Sequence, residues 1–144
     1  MKENFNYFCP LRVRYSEIDG QGIVFNAHYL TYMDVAITEY MRNLGLDYKA
    51  LAAAGTMDMA LVKTTLEYKA SAFFDDLLAI GVRISSLGRS SYTVDFEIFR
   101  EDCDDPILVA QTVYVNYNAK TRAAEPLPEF FRKKVIDFES LTEN

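Results

Sequence analysis

The feature that most constrains this chain is a turn rich in Asp and Gly that runs into its only long amphipathic helix, within the stretch Ile18 to Gly45, IDGQGIVFNAHYLTYMDVAITEYMRNLG. Asn26 is a good N-cap, because its side chain can accept a hydrogen bond from an unpaired first-turn N–H. Gly45 suits the position just past the helix end. Tyr29, Leu30, Tyr32, Met33, Ala36, Ile37, Tyr40, Met41 and Leu44 recur at helical spacing on one broad face, with Thr31, Asp34, Thr38, Glu39, Arg42 and Asn43 opposite. The carboxylate of Asp19 therefore stands just ahead of a helix N-terminus, where exposed N–H groups and the helix dipole favour negative charge.

The wide apolar face needs a partner, and the rest of the chain supplies strands. Residues 7–15 alternate, with Pro10 marking an edge or a strand start. Residues 47–54 form a short helix capped by Asp47 and stopped by Gly55. Alternating patterns return over residues 59–69, 76–86, 91–100 and 107–118, and SLGRSS makes a hairpin connection. Residues 128–138 are a closing helix with Pro128 in its first turn. Four strands in meander imply a largely antiparallel sheet, so the fold class is α+β with the long helix packed on that sheet. No repeat, linker or low-complexity segment divides the chain, which predicts one domain over residues 1–144.

Rare residues exclude several chemistries. The two cysteines, Cys9 and Cys103, are far apart and lack C-x-x-C spacing, and the single histidine is His28. A metal site of cysteines or histidines within one chain is not expected, nor is a disulfide. Any nucleophile–histidine arrangement would have to use His28. Net charge is −6 with scattered basic residues, which disfavours nucleic-acid binding. No apolar run approaches the ~20 residues of a membrane span. The first residues lack a signal-peptide core, so a cytoplasmic location is expected.

The stretch VRYSEIDGQGIVFNAHYLTYMDVA, Val13 to Ala36, resembles the 4-hydroxybenzoyl-CoA thioesterase family and its YbgC-type acyl-CoA thioesterase relatives. LEYKASAFFDDLLAIGVRISSLGRSSYTVDFEIFRED and TVYVNYNAKTRAAEPLPEFFR extend the similarity over about residues 5–135. The resemblance implies the hotdog fold, a five-stranded antiparallel sheet wrapped around one long central helix. It implies homodimers joined edge to edge, or homotetramers, with active sites between subunits. The implied activity is hydrolysis of the thioester of acyl-CoA, or of a related acyl carrier, with no metal or redox cofactor and with coenzyme A as part of the substrate.

By the same resemblance, Asp19 is the catalytic aspartate, as nucleophile or as general base for a water. The Asn26 backbone N–H would polarise the thioester carbonyl. Glu17 stands at an earlier acidic position of the motif, where it keeps the charge and is given little role. His28 departs from the family pattern; near the presumed site it could orient water or contact the acyl group, or it is a surface histidine. Gly22 and Val24 are placed on the substrate side, and Tyr29 either packs in the core under the site or contacts the substrate. Asp34 suggests an ion pair or an interface role. Arg89, Ser90 and Ser91 offer donors for phosphate or the pantetheine arm, with Lys69 and Arg122 as further basic candidates. Two other readings remain: a hotdog acyl dehydratase or hydratase, and a non-catalytic module binding an acyl carrier or a protein.

Overall fold

The computed structural model describes residues 1–142. Five strands, β1 (Phe8–Arg12), β2 (Met59–Tyr68), β3 (Leu77–Leu87), β4 (Ser91–Arg100) and β5 (Pro106–Asn118), form one antiparallel sheet in the order β1-β3-β4-β5-β2. A two-residue strand, β6 (Ala123–Ala124), pairs with the end of β5. The helices are α1 (His28–Asn43), α2 (Tyr48–Ala53) and α3 (Glu129–Glu139).

The inner strands follow their sequence pattern closely. Leu78, Ile80, Val82 and Ile84 of β3, and Tyr92, Val94, Phe96 and Ile98 of β4, turn one face inward and are buried. Seven side chains of α1 pack into that face: Tyr29, Tyr32, Met33, Ala36, Ile37, Tyr40 and Met41. At about 1.5–3 kcal/mol for each large apolar side chain buried, this contact outweighs any helix propensity of the segment. Leu30, expected on the same face, lies at its margin and is exposed. Gly45 ends α1 at φ +80°, with the Leu46 N–H returning to Met41 O at 3.0 Å.

Several boundaries differ from the pattern. β1 stops at Arg12 because the chain enters a tight 3-10 turn at Tyr15–Glu17. Pro128 is the N-cap of α3 rather than a first-turn residue. The four-strand meander holds only for β3-β4-β5. β2 pairs with β5 on the far edge, so the segment 69–76 crosses the end of the sheet to reach β3. That segment passes beside the Asp19 turn: Ala72 O accepts the Val24 N–H at 2.9 Å, and Asp76 O the Val13 N–H at 2.9 Å. A register shift between Leu61 and Lys63 breaks the alternation of β2, leaving both Leu61 and Val62 more than half exposed. Cys9 and Cys103 are free thiols.

Candidate active site

The Asp19 turn is a small hairpin. The Phe25 N–H reaches Glu17 O at 2.9 Å, Ile18 and Val24 form a bridge, and the Asp19 N–H reaches Ile23 O at 2.9 Å. Gly22, at φ +78°, closes it by donating to Asp19 O at 3.0 Å. Half-buried Asp19 accepts the Gln21 N–H on Oδ1 at 2.7 Å, which sets the side chain while Oδ2 makes no hydrogen bond within the described residues. Val24 is buried beneath the turn.

Helix α1 begins one residue later than the sequence indicates. Its N-cap is Ala27, with no side-chain cap, so Asn26 does not cap the helix. The Phe25 carbonyl takes the His28 N–H at 2.9 Å, while the Asn26 and Ala27 N–H groups meet no acceptor among the described residues. Tyr68, at the end of β2, donates to Asn26 O at 3.3 Å and fixes the orientation of that peptide. Asn26 lies three residues beyond Ile23, the partner of Asp19 in the hairpin, and one residue beyond Phe25, whose N–H is held by Glu17 O.

Other predicted residues sort by position. Tyr29 is buried; its hydroxyl accepts the Ala72 N–H at 3.3 Å, and its ring packs on Tyr68 and Tyr32. Burial raises its pKa, which keeps it a neutral phenol. His28 is half-buried with its ring edge-on to Phe25, at 5.8 Å between centroids. Lys69 is at the same end of the sheet, where it pairs with Glu67 at 2.8 Å. The Asp34 side chain makes no ion pair or hydrogen bond among the described residues, so the ion pair suggested for it is not formed there.

Arg89, Ser90, Ser91 and Arg122 are elsewhere. The turn Gly88–Ser90 joins β3 to β4 at the other end of the sheet, since Leu87 pairs with Tyr92 there while Leu78 pairs with Arg100 at the Asp19 end. Roughly ten strand residues separate the two ends, about 30 Å. Arg132 of α3 donates to the Gly88 and Arg89 carbonyls, and Leu127 N–H to Arg89 O, so the backbone of the turn is held. The Arg89 guanidinium is exposed and has no partner among the described residues. Beside it runs an open groove of about 1100 Å³ between the hairpin and α3. Arg122 lies in the neighbouring turn after β5, at φ +57°.

Sequence reasoning gave Glu17 little part, yet it is the only charged side chain among the described residues that is buried. Burial alone would raise its pKa. Hydrogen bonds from the Arg14 N–H, the Arg14 guanidinium and the Tyr32 hydroxyl outweigh that and hold it below the usual carboxylate range. An acidic residue two places before Asp19 was visible in the sequence; that it faces inward was not.

The sequence pattern of the thioesterase-like superfamily matches residues 13–135, and the chain belongs to that family. It is 25% identical over 118 residues to a 1,4-dihydroxy-2-naphthoyl-CoA hydrolase of Synechococcus elongatus, covering 81% of this chain and 85% of that one. It is 35% identical over 82 residues to the acyl-CoA thioester hydrolase YbgC of Escherichia coli O6:H1, covering 57% and 60%. A thioesterase from Thermus thermophilus, solved with coenzyme A and zinc, superposes with a TM-score of 0.82 at 23% identity, over 98% of this chain and 99% of that one. The fold is the hotdog fold and the chain is a thioester hydrolase. No helix among the described residues is long and apolar enough to cross a membrane.

Proposed function

We propose that the protein is a cytoplasmic acyl-CoA thioesterase in which Asp19 and the first turn of α1 act on opposite sides of the thioester carbonyl. The observation that carries this reading is the pairing of a half-buried carboxylate with an uncapped helix start, whose Asn26 and Ala27 N–H groups have no acceptor among the described residues. Donors aimed at developing oxyanion charge are among the largest catalytic terms. Asp19 either attacks the carbonyl carbon, giving an acyl-enzyme anhydride that water then cleaves, or removes a proton from an attacking water. In both cases the C–S bond breaks and coenzyme A departs as thiolate. Neither route calls for a metal or redox cofactor.

The substrate's nucleotide would be met by Arg89, Ser90, Ser91 and Arg122, which one chain holds some 30 Å from its own Asp19. A second copy resolves the separation. β2 is an edge strand with Leu61 and Val62 exposed. Antiparallel pairing of two β2 edges about a two-fold axis brings the hairpin end of one copy towards the Asp19 end of the other. The protein therefore works as a homodimer or a homotetramer.

Mixing the protein with a panel of acyl-CoAs and a thiol reagent tests this. Thiol release that disappears in Asp19→Asn supports it. An absorbance change at an enoyl double bond without thiol would point to a dehydratase or hydratase, and binding without turnover to a carrier-binding module; either result overturns the thioesterase reading.

A further inference from the structure

We propose that Glu17 and Tyr32 are positioning residues for this hydrolysis: together they fix where Asp19 stands relative to the first turn of α1. The inference rests on the thioesterase reading and assigns a role to two residues to which that reading gives none.

Glu17 is 3% exposed and Tyr32 1% exposed, so neither can touch the substrate. The Tyr32 hydroxyl, in the second turn of α1, donates to Glu17 Oε1 at 2.9 Å. The same oxygen takes the Arg14 N–H at 2.7 Å, and Oε2 takes the Arg14 Nη2 at 3.0 Å and Nε at 3.3 Å. Its main-chain carbonyl accepts the Phe25 N–H at 2.9 Å. One residue thus binds the start of the turn through Arg14, the returning arm through Phe25, and the helix through Tyr32. Asp19 follows it by two residues, and Asn26 follows Phe25 by one.

Geometry of this kind is catalytically costly to lose, since a displacement of about 1 Å can reduce a rate by roughly a hundred-fold. An apolar residue would pack under the turn without the desolvation cost of a buried carboxylate. An apolar contact, however, has no direction. The hydrogen bonds from Tyr32 and Arg14 define both the distance and the rotation of the hairpin on the helix. Removing the Tyr32 hydroxyl breaks only the link to α1 and leaves the ring packed against Tyr29 and the Arg14 clamp in place.

The test compares the full-length wild type with Tyr32→Phe and Glu17→Gln, by thiol release from the best acyl-CoA of the panel and by amide hydrogen exchange. In Tyr32→Phe, kcat should fall about ten- to a hundred-fold with KM within about two-fold, while exchange at Asp19 and Phe25 rises and exchange in β4 does not. A merely structural role would instead leave kcat per folded molecule unchanged and raise exchange throughout. A folded Tyr32→Phe enzyme with kcat within two-fold of an active wild type overturns the inference alone. A wild type that releases no thiol from any acyl-CoA overturns the thioesterase reading and the inference with it. Glu17→Gln places an amide where Arg14 needs an acceptor; if it does not fold, Tyr32→Phe decides.

Discussion

The two ends of the sheet are built on opposite principles. At the Asp19 end the backbone leaves regular helix and strand between the Tyr15 turn and α1, and side chains buried beneath it hold the chain: Glu17, Tyr32, Tyr29 and Val24. What that end presents outward is a carboxylate and bare N–H groups. At the hairpin end, three residues join two long strands, and the turn carbonyls are covered by Arg132 and Leu127. That end presents a free guanidinium beside a groove. The first arrangement suits recognition of a reacting carbonyl, where placement to about 1 Å matters, and the second suits an anion that an exposed guanidinium can meet from solvent. Activity should depend steeply on the first end and gently on the second.

The steepest expectation concerns Asp19→Asn. The amide keeps an oxygen for the Gln21 N–H, so the turn should survive and Tm should move little. Thiol release should fall on the order of a thousand-fold, the range associated with loss of an acid–base group. A loss below ten-fold would remove the Asp19 end from the chemistry and break the comparison. Next comes the edge that is to unite the two ends. Leu61→Glu with Val62→Glu places charge on an exposed strand edge, and should give a monomer by sedimentation with activity lowered by roughly a hundred-fold, as the nucleotide loses its partner charges.

How legible this was from sequence differs by region. The inward faces of β3 and β4 and the apolar stripe of α1 follow from spacing, because each is a local period acting on one large contact. The place of β2 does not. Its pattern shows a strand, but which neighbour it takes is settled by β5 about fifty residues later, and its bulge at Val62 reverses the faces midway. Asn26 has the chemistry of a cap, yet the His28 N–H closes on the Phe25 carbonyl, so that Ala27 is the N-cap and the helix starts at His28. Glu17 is the sharpest miss. A carboxylate in a polar loop reads as a surface group, and only the inward turn of Tyr15–Glu17 places it over Tyr32.

A milder change separates the two ends more finely. Arg89→Ala should raise KM for acyl-CoA about ten-fold, the equivalent of roughly 1.4 kcal/mol for one charge-assisted contact, with kcat unaltered. An acyl-pantetheine, which lacks the nucleotide, should not notice the substitution. Mixing Arg89→Ala with Asp19→Asn makes the point sharper. If each site takes Asp19 from one copy and Arg89 from the other, a mixed dimer carries one site with both lesions and one with neither. High-affinity thiol release should then reappear on mixing; if it does not, the two ends do not share a site.

The smallest effect is expected where each end uses a left-handed residue. At the Asp19 end Gly22 is one such residue, at φ +78°, beside Asp75 at φ +67°; at the hairpin end it is Arg122, at φ +57°. A Cβ on Gly22 would meet nothing within 4 Å, so Gly22→Ala suffers no clash and carries only the backbone penalty of about 1 kcal/mol. That amounts to a fall in Tm of about 3–5 °C for a chain of this length. Because the strained residue closes the hairpin beside Asp19, kcat should drop a few-fold as well. The change Arg122→Gly relieves the same conformation, so stability should stay within about 1 kcal/mol and kcat should hold, with only KM rising. Equal losses of kcat in both variants would mean that the turn near Asp19 is no more exacting than the turn near Arg122, against the contrast drawn between an end that needs close placement and one that does not.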